Sequence, residues 1–386
     1  MRDINKDMTN TIPLFTVYNS PLVKEAVGRV IDSGFVGQGP VNDQFEADLR
    51  EFFGIDYLNT TNSATSAEHL AYHLLRKYGL QDGDESLTTA LSCSATHVVI
   101  PANRLKIKWL DIDPKTLNID YDDLERKIGP RTKVINLVSW GGTPNNLDRI
   151  AEIRDRTYVK FGFYPWVICD NAHAFGAKYK GKLLGTTHGF ISTFSFQAIK
   201  LLQTFDGGAL LSPGFEDFYR RGRLLRWFGL DRDDKSQKDL RCHQNCKEWG
   251  FKFHQNDISS AAGVENLKHV PRLLKAHQDN AAYYDQNLKG IGGLALLDRH
   301  PDYESSFWIY SMLVEDRDNF NKWMKECGIA VSMVHDRVDK HDCFSESKAF
   351  LPNLDRTIGR LTNIPVHHAV TSEQREYIVS CIKEGW

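Results

Sequence analysis

The sequence predicts an α/β protein: a large domain on a mixed, mostly parallel sheet covered by helices, followed by a smaller C-terminal α/β lobe. Three observations predict it. Between residues 86 and 212, the short apolar runs 107–112, 134–138, 166–169 and 191–196 alternate with polar or helical stretches, the signature of a sheet buried on both faces. In the stretch FISTFSFQAIKLLQTFDGGALL, two strand-like runs flank a loop that carries Lys200. From residue 264 onward, helical periodicity mixes with short runs such as 307–314 and 329–334, which divides the chain into 13–263 and 264–386.

Taken in order, residues 1–12 are polar and expected to fray. Apolar residues at 22, 23, 26, 27, 30 and 31 predict a helix ended by Gly34, and a second helix over 41–53 should end at Gly54. Between them, Gly37-Gln38-Gly39-Pro40 reads as a tight turn. The stretch NSATSAE opens a third helix, with Thr65 and Glu68 fitting a capping box. Its hydroxyl-rich N-terminus suits a phosphate, although a plain cap is the commoner use of such a sequence.

At the carboxyl ends of parallel strands, where such sheets bind ligands, the chain places Asp170 and Ser195. A carboxylate buried at a strand end needs a cationic or hydrogen-bonding partner; capping the following turn is the competing reading of Asp170. Lys200 sits in apolar surroundings that disfavour an ammonium, so a nucleophilic amine able to form a Schiff base is expected at neutral pH. A lysine that snorkels to the surface is the alternative.

The arginine-dense segment 215–235 is balanced by Asp231, Asp233 and Asp234 and reads as a solvated helix. Cys242, His243 and Cys246 lack a second ligand pair, so no metal site is expected. Seven scattered cysteines favour a reducing compartment over a disulfide framework. A formal net charge of -2 gives no footprint for nucleic acid. No run is apolar enough to span a bilayer and no leader pattern is seen, so a cytoplasmic location is expected.

The segments GFVGQGPVNDQFEADL, NSATSA, WGGTPNNLD, CDNAHAFGAKYKGKLLGT, FSFQAIKLLQTFDGG, NDISSAAG and IPVHH, in this order, resemble the DegT/DnrJ/EryC1 sugar aminotransferases. The resemblance implies the fold-type I architecture, pyridoxal 5'-phosphate as cofactor, and a homodimer with shared active sites. It implies that Lys200 bonds covalently to the cofactor and that Asp170 pairs with its protonated ring nitrogen. Ala64, Thr65 and Ser195 would cradle the phosphate. Departures from the family pattern fall at Ala64 (usually glycine), Cys93 (often an aromatic on the pyridine face) and His173 (a glutamine near the phenolic oxygen). Lys252 and His254 replace an asparagine and an arginine that reach the partner subunit's site. His335, Arg337 and His367 lie in segments that could face the substrate. The implied reaction is amination of a nucleotide-linked 4-keto-6-deoxy sugar with L-glutamate as donor. Alternatives are a 3-aminotransferase, a sugar 3-dehydratase, disfavoured because Lys200 is not histidine, and a non-catalytic regulator; a Rossmann-type protein lacks its glycine motif.

Overall fold

The computed structural model describes residues 11–234 and 244–386. Residues 1–10 and the Cys242-His243 pair lie outside the described residues. Among the described residues no group of histidine, cysteine, aspartate or glutamate side chains could hold a metal ion, and no helix is long and apolar enough to cross a membrane.

Helices α1 (Val23–Asp32) and α2 (Pro40–Phe53) precede strand β1 (Leu58–Thr61). Then follow α3 (Ala64–Leu75), β2 (Glu85–Thr89), α4 (Ala95–Ala102), β3 (Lys106–Leu110), α5 (Tyr121–Lys127), β4 (Thr132–Val138), α6 (Leu147–Phe161) and β5 (Trp166–Asp170). The short strands β6 (Lys178–Tyr179) and β7 (Lys182–Leu183) lead to β8 (Ile191–Ser195), β9 (Gly208–Leu211) and α7 (Glu216–Leu225). The remainder comprises α8 (Asp257–Leu267), α9 (Val270–Asn287), β10 (Leu294–Leu296), β11 (Tyr303–Glu304), β12 (Tyr310–Val314), α10 (Arg317–Glu326), α11 (Pro352–Ile358), β13 (Leu361–Ile364) and α12 (Ser372–Glu384).

Seven strands form the main sheet in the order β1-β9-β8-β5-β4-β2-β3. Its pairs are parallel except those made by β9, which runs against both β8 and β1. Alternate residues of each strand serve opposite faces. Ile135, Leu137, Val167 and Cys169 pack in one core with Leu147, Ile150 and Ile153 of α6, while Val134, Ile168, Ile191 and Leu210 pack against Leu70, Ala71 and Leu74 of α3. Both faces are therefore dry, and ligand access is left to the strand ends. A second, antiparallel sheet, β10-β12-β13, shares a core with Tyr284 of α9, Phe320 and Met324 of α10, and Ile378 and Ile382 of α12. Ile12 joins that core, its N–H donating to the Gly328 carbonyl at 2.8 Å.

Several local expectations need correction. The cap of α3 is Ser63, whose hydroxyl accepts from the Ser66 N–H; Thr65 lies inside the first turn and Glu68 is buried, so there is no Thr65–Glu68 capping box. The stretch 329–334 forms no strand but two isolated bridges, Ile12 with Ile329 and Ser332 with Asn363. Strand β12 starts only at Tyr310, because Phe307 adopts φ 47°. The arginine-rich segment is only partly solvated: Arg226 is buried, and both it and Arg223 reach the buried Glu46 of α2.

Candidate active site

The carboxyl ends of β2, β5 and β8 and the start of β9 converge with the N-terminus of α3 on a cavity of about 680 Å³. Lys200 enters it from the loop between β8 and β9. That loop is pinned at its base by the Phe196 N–H donating to Gly207 and the Thr204 N–H donating to Phe196, each at 2.8 Å. Its amine lies 3.6 Å from the centre of the Trp308 ring. Surrounding protein drives the amine down from 10.5 to about 7, with the Asp170 charge opposing the drop. A sizeable neutral fraction is thus present near neutral pH.

Asp170 ends β5 and is 6% exposed. Its Oδ1 accepts from the Ala172 N–H at 2.9 Å and its Oδ2 from the Thr96 hydroxyl at 2.6 Å. One oxygen therefore does cap the following turn, while the group as a whole lines the cavity. Ser63, Ala64 and Thr65 line the same space, and the first N–H groups of a helix have no partner within it. The helix start lies tight against β9: a Cβ on Gly208 would come 2.5 Å from the Ala64 nitrogen. Ser195, at the end of β8, faces the same cradle.

His173 stacks on Trp308 with ring centres 3.9 Å apart, and His335 lies parallel to His173 at 5.6 Å. Burial, and then the neighbouring Lys200, hold His173 well below the usual imidazole range and His335 at about 4. Both rings are neutral at physiological pH, and His173 Nδ1 and His335 Nε2 are buried without a hydrogen-bond partner. Cys93 completes the wall as a free thiol.

The structure thus brings together Ala64, Thr65, Cys93, Asp170, His173, Ser195, Lys200 and His335. It does not bring Lys252, His254, Arg337 or His367 to this cavity. The Lys252 carbonyl accepts from the Asn62 side chain at 3.3 Å, beside the α3 N-terminus, and His254 packs edge-on against Trp227. Arg337 is spent on Asp339 and Asp355. His367 bonds the Pro13 carbonyl through Nε2 at 2.8 Å and borders a small crevice behind Phe15 and Trp308. Sequence reasoning missed Trp308, Phe15, Glu68 and Thr96. Only Thr96 left a signal, as one hydroxyl of the cluster SCSAT after β2.

A lysine with a depressed basicity, a strand-end carboxylate, a helix N-terminus and two imidazole nitrogens without partners suit a phosphorylated aromatic aldehyde. The donor set fits pyridoxal phosphate. Comparison with known proteins points the same way: residues 20–383 match the model of the DegT/DnrJ/EryC1/StrS aminotransferase family. The chain belongs to this family. It is similar to the solved structures of AtS13 from Actinomadura melliaura (42% identity, 98% of this chain and 100% of that one, TM-score 0.93) and of the sugar aminotransferase CalS13 from Micromonospora echinospora (39%, 97% and 100%, 0.92). It is also 28% identical to the dTDP-4-dehydro-2,3,6-trideoxy-D-glucose 4-aminotransferase of Saccharopolyspora spinosa, over 89% of this chain and 88% of that one. The family is pyridoxal-phosphate-dependent and its members are enzymes.

Proposed function

We propose that this aminotransferase moves the amino group of L-glutamate to C-4 of a nucleotide-linked 4-keto-6-deoxy sugar, releasing 2-oxoglutarate. The observation that carries the reading is the meeting of Lys200 and Asp170 in one cavity beside the α3 N-terminus. Amination at C-4 is supported by the similarity to the 4-aminotransferase of Saccharopolyspora spinosa. The apolar wall of Leu14, Phe15, Trp308 and Val334 suits a sugar that carries a methyl group in place of a hydroxymethyl.

Bound, pyridoxal phosphate supplies an electron sink for the carbanion left when the donor loses its α-proton. The chain does the rest. Ala64 and Thr65 at the helix start, with Ser195, would hold the phosphate. Asp170 would keep a proton on the ring nitrogen, His173 would hold the phenolic oxygen, and Cys93 would contribute to the wall around the ring. Lys200 Nζ removes the donor's α-proton in the first half-reaction and delivers one to the sugar carbon that receives nitrogen in the second. His335, in the cavity wall, would meet the sugar. Lys252 and His254 act on the cavity of the partner subunit in a homodimer.

The test is a spectrum of the protein with added pyridoxal phosphate, before and after L-glutamate, beside Lys200→Ala. A visible band that depends on Lys200 and bleaches with glutamate is expected, with turnover in the variant lowered by roughly 10²–10⁴-fold or more. A band indifferent to Lys200 would overturn the reading. Product NMR with 3-keto and 4-keto nucleotide sugars then decides the position aminated; a 3-amino product sinks the C-4 assignment.

A further inference from the structure

Beside Asp170, in the wall of the same cavity, lies a second carboxyl that the proposed chemistry does not use. Glu68 projects from α3 and is 1% exposed. Its Oε1 receives a long contact, 3.3 Å, from the Thr193 hydroxyl, Asn136 interacts weakly with the carboxyl, and its Oε2 is buried with no donor in hydrogen-bonding geometry. Asp170, by contrast, has a donor on each oxygen, Thr96 and the Ala172 N–H. The two carboxyl groups lie within hydrogen-bonding reach of each other. Two adjoining buried carboxylates cannot both ionise without a compensating cation. The charge settles on the group that owns the donors, and the proton on the one that lacks them.

We propose that Glu68 is a positioning residue for the reaction, held as the neutral acid and donating its proton in a hydrogen bond to Asp170. The donated bond fixes the orientation of the Asp170 carboxylate, and thereby its grip on a protonated ring nitrogen. This rests on the reading of Asp170 given above. The other groups facing Glu68 are compatible with a neutral acid. Asn136 of β4 passes one amide N–H to the Tyr72 hydroxyl at 3.1 Å, and Tyr72 pairs with Ser86 at 2.8 Å; Asn136 and Thr193 also favour the charged form of Glu68, but less than burial and Asp170 oppose it. Tyr72 is itself pushed up by burial and stays neutral. Lys200 interacts with Asp170 rather than with Glu68. Burial and the Asp170 charge both drive the Glu68 carboxyl well above the usual range.

Two measurements on the full chain, with and without pyridoxal phosphate, test the protonation. First, the infrared spectrum at neutral pH should show the C=O stretch of a buried protonated carboxyl, lost in Glu68→Gln. Second, because a raised acid destabilises the fold increasingly as pH climbs above its unfolded value, the thermal midpoint of Glu68→Gln should pull ahead of wild type as pH rises from 5 to about 8. No carboxyl band and a flat difference mean an ionised Glu68 and overturn the proposal. The positioning role is read from the pH profile of the glutamate half-reaction. Glu68→Leu should shift its midpoint by about one pH unit and Glu68→Gln, which keeps a donor, should restore it; identical profiles in both variants and wild type would reduce Glu68 to a space-filler. A failure of the aminotransferase reading shows elsewhere, as a visible band that ignores Lys200, and leaves the infrared result standing.

Discussion

At the scale of single residues, the site is governed by which charges the protein refuses. Lys200 shows part of its stem to the cavity, yet its amine is walled in and drops to about 7 against 10.5 when unfolded. Between those values the unfolded chain binds the extra proton, so stability climbs with pH across this window. Lys200→Met should therefore stabilise the cofactor-free protein most at pH 7 and below. The gap should close toward pH 10.5 at up to roughly 1.4 kcal/mol per pH unit; calorimetry at stepped pH checks this, and a pH-independent gap would mean an amine that is not desolvated. Lys200 and Asp170 were legible in the sequence because Asp170 directly ends an apolar run and Lys200 lies in the loop between two such runs, where chain order alone fixes position. Trp308 and Glu68 were not. Trp308 reaches Lys200 across 108 positions by leaving the strand direction at Phe307, and Glu68 reads as a helix-capping residue until the helix is seen to start at Ala64.

At the scale of elements, α2 is held by charges that come from far along the chain. Asp257 accepts from the N–H groups of Gly39 at 2.7 Å and Asn42 at 3.0 Å, taking the place of a local cap at the α2 N-terminus. In the middle of the same helix, burial alone would raise the Glu46 carboxyl, but the guanidiniums of Arg226 and Arg223 override it and hold the group below 4.5. Its contribution is present above pH 4.5 and fades as pH falls through the lower folded value. Arg226→Met leaves Glu46 buried with the weaker, partly exposed Arg223 and should cost about 3–5 kcal/mol in urea unfolding; a loss below about 1 kcal/mol would mark the pair as dispensable. The sequence could not reveal this pairing, since Glu46 lies far along the chain from the arginines while Asp231, Asp233 and Asp234 stand close by, and these suggested solvent. For a related reason β1 (LNTT) and β2 (ESLTT) escaped notice. Their buried polar residues find partners only in the folded sheet, such as Tyr72 for Ser86 and Glu46 for Thr60, whereas β4, β5 and β8 announce themselves by apolar side chains.

At the scale of the whole molecule, one chain supplies most of a site but leaves Lys252 and His254 beside it rather than in it. Leu22, Ile31, Phe35 and Val36, just before, within and just beyond α1, are 52, 56, 62 and 44% exposed, apolar side chains of the kind that a partner surface covers. A twofold homodimer that covers such a face would let the segment around Lys252 reach the neighbouring cavity, and each cavity would then draw residues from both chains. The consequence is quantitative. Lys200→Ala and a Lys252→Ala/His254→Ala double variant should each be inactive or nearly so alone. When the two are unfolded and refolded together at equal amounts, half of the dimers are mixed, and in each mixed dimer one cavity carries both defects while the other carries none. About a quarter of wild-type activity should return. If the two variants complement no better together than apart, although sedimentation shows mixed dimers, Lys252 and His254 serve their own chain's cavity and the shared-site arrangement is wrong.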